Sequence, residues 1–150
     1  MAVILVLIII AGSCAFFWLR KDSSPFSADV RSSVNFPLYY PRKLPKDYMI
    51  DKKSVSVANN VVFFNVTKSN SPPIIVSEQP VATRFNFDDF YSKQISVTTQ
   101  LTNGEGRIIF GKILTRQVAT LVSPTTWVIL SADTKTPPGD ISTLVESLKK

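Results

Sequence analysis

The first nineteen residues, MAVILVLIIIAGSCAFFWL, carry no charged side chain, and the run stops at Arg20-Lys21. A helix rising about 1.5 Å per residue needs roughly 17–25 apolar residues to cross the hydrocarbon core of a bilayer. The stretch from Ala2 to Leu19 meets that requirement, so a transmembrane helix over residues 1–19 is expected, with membrane lipid as its first partner. Trp18 beside Arg20 and Lys21 fits an interfacial aromatic with snorkelling cations at one membrane face.

Two other readings of the run have different consequences. A cleaved secretory signal needs a basic leading region and a small-residue cleavage site, whereas here bulky Phe16, Phe17 and Trp18 follow the small residues. A lipoprotein signal would place a lipid on Cys14 after Ala11-Gly12-Ser13, but AFFWL then prolongs the apolar segment where a polar tether would be expected. A free cysteine is a small hydrophobe at home in an apolar helix, and the run is read as an anchor. Orientation is contested within the sequence itself. Arg20, Lys21 and Arg31 follow the span, and the positive-inside bias would place them in the cytoplasm.

Beyond the anchor, residues 20–35 mix Ser, charge and one Pro without periodicity, which reads as a juxtamembrane linker. Residues 36–150 are the right size for one domain with one modest core. Net charge is +6, and the excess is juxtamembrane: residues 20–53 hold eight Lys or Arg against four Asp or Glu. Arg42, Lys43, Lys46, Lys52 and Lys53 could therefore touch lipid headgroups or an anionic envelope polymer, each gaining about 1 kcal/mol near an anionic surface. The competing reading is an ordinary solvated basic surface. Nucleic acid is not an expected partner, because no basic stripe interleaves with aromatics and no binding motif occurs.

The segment Phe36-Pro37-Leu38-Tyr39-Tyr40-Pro41-Arg42-Lys43-Leu44-Pro45 is too rich in proline for a helix, and its aromatics suggest that it packs on the domain. Val55 and Val57 alternate with serines, Asn59-Asn60 tolerate positive φ, and Val61 to Val66 returns, which is a hairpin signal. Ile74 to Glu78 is a third strand. A short helix follows over Asn86–Gln94, with Asp88 and Asp89 in the first turn and Phe87, Phe90 and Tyr91 facing the sheet. Strands are expected over Val97–Leu101, Gly106–Ile113, Arg116–Val122 and Thr126–Ala132, with a turn at Asn103-Gly104. Trp127 belongs to the core. Asp140 is read as the N-cap of a closing amphipathic helix carrying Ile141, Leu144, Val145 and Leu148, with Lys149-Lys150 at its end.

Much chemistry is excluded outright. The chain has no histidine, and its one cysteine lies in the apolar run, so histidine-dependent nucleophiles and a His/Cys zinc site cannot be built. Asp88 and Asp89 project about 100° apart on a helix and do not converge on one atom. An acidic first turn explains them. No catalytic residue, cofactor or metal site is expected.

The motifs F-P-L-Y-Y-P-R-K-L-P-K-D-Y, V-S-E-Q-P, F-N-F-D-D-F-Y and T-W-V-I-L-S, closed by an amphipathic helix, resemble a family of small, uncharacterised, single-pass bacterial membrane proteins. More loosely, they are similar to an extracytoplasmic domain of unknown function on some anti-sigma factors. The resemblance implies an α+β domain, an antiparallel sheet covered by helices, displayed outside the cytoplasmic membrane. It brings no catalytic residues. The expected role is a membrane-anchored, non-enzymatic domain that binds an envelope partner or ligand. The alternatives are a carrier or sensor of a small apolar or amphiphilic ligand, and a carboxylate- or Ser/Lys-based envelope enzyme.

Overall fold

The computed structural model describes residues 24–150. The membrane helix expected over residues 1–19, with Ala2, Trp18, Leu19, Arg20 and Lys21, lies outside the described residues. Among the described residues no helix is long and apolar enough to cross a membrane.

The body is α+β, built on a seven-stranded antiparallel sheet. β2 (Met49–Ala58) and β3 (Val61–Thr67) form the first hairpin. Asn59 and Asn60 turn it with φ of 51° and 59°, the left-handed pair that a two-residue hairpin loop requires. β4 (Ile74–Pro80) pairs with β3. The chain then passes through α2 (Phe87–Gln94) and returns as a meander of β5 (Ser96–Asn103), β6 (Gly106–Ile113), β7 (Arg116–Val122) and β8 (Thr126–Asp133). β8 closes against β4, giving the order β2-β3-β4-β8-β7-β6-β5.

Period-two alternation divides the residues between two faces. Val62, Phe64, Val66, Ile74, Val76, Ala119, Leu121, Val128 and Leu130 are buried on one of them. α3 (Pro138–Glu146) joins that core through Ile141, Leu144 and Val145. On the other face, Ile109 and Val118 pack with Tyr91 and the partly buried Phe87 and Phe90 of α2. The Asn86 side chain caps α2 by accepting from Asp89 N at 3.0 Å, Asp89 pairs with Lys93 at 2.7 Å, and Asp88 pairs with Arg107 at 2.6 Å. Both acids thus serve the helix and its neighbours. Trp127 is buried among Phe85, Phe87, Phe90 and Tyr91.

Three sequence expectations need correction. Part of the 20–35 stretch, read as a linker, is folded: α1 (Ala28–Ser32) is capped by Ser27 Oγ, and Phe26 is only 4% exposed. Phe26 sits edge-on to Phe64 at 5.5 Å and to Tyr40 at 6.2 Å, so the packed body begins ahead of residue 36. Phe26 anchors this segment, Val30 and Val34 pack against the same core, and Ser27 caps the helix, too few apolar residues over too short a stretch to stand out among the serines and charges. Secondly, α3 starts at Pro138 and Asp140 lies within its first turn, because proline at the first helical position loses no hydrogen bond there. Finally, Leu148 is not on that helix. The helix ends at Ser147, whose single hydroxyl proton lies within reach of both Leu144 O and Lys43 O at 3.0 Å, and Leu148–Lys149 (β9) pairs antiparallel with Tyr40–Pro41 (β1).

Candidate functional site

The proline-rich segment forms a strap across one end of the sheet. Pro37 O accepts from Thr126 Oγ1 at 2.8 Å, and Tyr39 N donates to Glu78 Oε2 at 2.8 Å. Just beyond, the main chain turns to pair with β9, and Arg42 N donates to Ser147 O at 3.0 Å. The segment that proline kept out of a helix is therefore held on both sides, by sheet side chains and by the C-terminal strand.

Between this strap and α1 lies a cleft of about 360 Å³. Phe26, Phe36, Pro37, Leu38 and Tyr40 supply apolar surface, and Arg31, Arg42 and Lys150 bring three cations to the same hollow, with no acidic side chain among the described residues of its lining. Two contacts among the described residues help to place Arg42. Its guanidinium lies 4.2 Å from the centroid of the Tyr40 ring, and Nη2 donates to the main-chain oxygen of Lys150 at 2.6 Å. Lys150 Nζ lies 5.7 Å from the centroid of the Tyr39 ring. Aromatic faces attract such cations, and the five donors of a guanidinium are numerous enough to meet an anion as well.

Of the five cations singled out as headgroup or polymer contacts, Arg42 alone lines this cleft. Lys43 lines a separate hollow with Ser142, Thr143, Glu146 and Ser147 at the end of α3. Lys46 is an exposed residue of the turn before β2. Lys52 and Lys53 are exposed on β2, an edge strand, where charge blunts pairing with other chains. Arg31 and Lys150 were not in that set, and they join Arg42 only because α1 and β9 converge on the strap.

Glu78 is the other feature the sequence reading missed. It is fully buried, its Oε1 has no partner among the described residues, and burial pushes its carboxyl well above the usual glutamate range against the opposing pull of the Tyr39 N–H. The signal was present in β4: Ile74, Val76 and Glu78 share one parity, which puts an acid on the core face. Glu78 does not line the cleft; it fastens the strap that does. Among the described residues no group of three or more His, Cys, Asp or Glu could hold a metal ion. No family model, curated protein or solved structure matches the chain.

Proposed function

We propose that the chain is a membrane-tethered, non-enzymatic domain displayed on the extracytoplasmic side of the cell envelope, and that its cleft takes an anionic amphiphile. The observation that carries this reading is the make-up of the cleft, where aromatic and aliphatic side chains form the walls and the charges among the described residues are those of Arg31, Arg42 and Lys150. Such a hollow matches a ligand with an alkyl body and a phosphate or carboxylate head. An apolar wall alone would accept any hydrophobe, while guanidinium groups select the head. The position supports the same conclusion: Ser24 lines the cleft, and the apolar run ends four residues earlier at Arg20. A ligand drawn from a bilayer would meet this end of the body. The non-enzymatic part rests on the missing histidine and on Glu78, which is buried and stands outside the cleft lining.

The test uses the full chain in a neutral detergent with dodecyl phosphate as probe. The unaltered protein should gain several degrees in its melting midpoint, and the double variant Arg31→Gln/Arg42→Gln should lose most of that gain. Lys52→Gln/Lys53→Gln should keep it. An unaltered protein indifferent to the probe, or a double variant that responds as strongly, removes the proposal.

A further inference from the structure

The sheet has two edges, and they are built differently. β2 carries Asp51, Lys52 and Lys53 near its middle, and its register with β3 breaks between Asp51 and Ser56. Ser54 seals that break, donating to Asp51 O at 2.6 Å and accepting from Asn65 N at 2.8 Å. Charge and irregularity of this kind keep a further strand from adding. β5, at the opposite edge, reads Ser-Val-Thr-Thr-Gln-Leu-Thr-Asn: it has no charge, no proline and no glycine, and its first seven residues are exposed. Its register with β6 breaks only near its start, between Val97 and Thr99, where Thr98 Oγ1 donates to Phe110 O at 3.3 Å. Thr99 to Asn103 remain as five regular residues with alternate main-chain groups directed outward.

We propose that β5 is a homotypic pairing edge: two copies of the chain join β5 to β5, antiparallel, about a two-fold axis. The occupant follows from charge. A chain of net charge +6 repels its own copy, and that repulsion is smallest along a stretch where neither copy presents a charge. β5 offers five uncharged residues in regular register, Thr99 to Asn103, whereas the uncharged end of β2, Ser54 to Ala58, is in register with β3 only from Ser56. An acidic or basic peptide would gain no charge match there and loses its claim. The regular segment is centred on Leu101, so two-fold pairing sets Leu101 opposite its counterpart, Thr99 opposite Asn103 and Gln100 opposite Thr102. Leu101 is 43% exposed beside Phe110 and Pro138, and the pairing covers the surface they leave open. Every other opposed pair is polar and neutral, and the contact is self-complementary as a two-fold interface must be.

The full chain in detergent, with its protein mass determined by light scattering, should be a dimer. Leu101→Lys should weaken the dimer at least tenfold, while Lys52→Thr/Lys53→Thr on the other edge should leave it unchanged. In a Cys14→Ser background, Leu101→Cys should form an intermolecular disulfide under mild oxidation, since opposed Cα atoms in an antiparallel pair lie about 4.5–5.5 Å apart. An unaltered chain that stays monomeric at micromolar concentration, a dimer indifferent to Leu101→Lys, or a Leu101→Cys variant that does not cross-link overturns the proposal. If Leu101→Lys does not fold, the cross-link decides alone. None of these readouts depends on the cleft or its ligand.

Discussion

Glu78 spends stability to hold the strap. Its carboxyl accepts from Tyr39 N, but it does so with no exposure to water and with Oε1 unpartnered among the described residues. Because burial raises its pKa, the folded protein keeps the proton at pH values where the unfolded chain has released it. Its contribution to stability is therefore complete below the ordinary glutamate range, about pH 4.3, and is lost as pH rises through the raised value. Glu78→Gln retains an acceptor for the Tyr39 N–H and removes the ionisation. Urea midpoints of the variant should fall less between pH 5 and pH 8 than those of the unaltered protein, and equal slopes would show that Glu78 is not the group responsible. Phe26 works in the opposite sense, giving stability through its contacts with Phe64 and Tyr40. Phe26→Ala should cost about 3 kcal/mol in chemical denaturation, as truncation of a buried phenylalanine does. A loss below about 1 kcal/mol would mean that residues ahead of the strap are not part of the cooperative unit.

Strands and helices are secured by close approaches that pattern alone does not reveal. A Cβ placed on Gly106, at the start of β6, would stand 2.2 Å from Val122 O at the end of β7, and its φ of 158° adds strain. Backbone cannot yield there as a flexible side chain could, so Gly106→Ala should destabilise by roughly 2 kcal/mol or more, readable as a lowered melting midpoint. Alternation and turn residues made β3 to β8 and the second half of β2 legible in advance, because most strand faces turned to the core carry the apolar residues and Asn59-Asn60 and Asn103-Gly104 punctuate the chain, whereas Met49–Lys53 of β2, with no buried residue, gave no such signal. α2 was equally legible from its acidic first turn and the spacing of Phe87, Phe90 and Tyr91. The ends were not. α1 has five residues and no buried one, and β1 and β9 have two residues each, too short for any period to register. The cleft shares that history: its aromatic segment was readable as docked, but Arg42 and Lys150 are 108 residues apart and meet through a pairing that only the fold specifies.

At the scale of the whole molecule, the tether and the body make a joint prediction. If the apolar run is embedded and the domain is displayed outside, added protease should leave the domain intact in whole cells with an outer barrier and digest it once that barrier is opened. A domain that survives in spheroplasts lies in the cytoplasm and removes the extracytoplasmic role. The order of attachment along the chain also sets how the molecule bears force. Any pull arriving from ahead of Ser24 is carried first by Phe26 and α1, then by the Tyr39–Glu78 and Thr126–Pro37 hydrogen bonds, and only afterwards by the ladder of the large sheet. Under such a load the strap, held also by its pairing with β9, should peel before the large sheet is stretched, opening the cleft while the seven-stranded ladder stays paired.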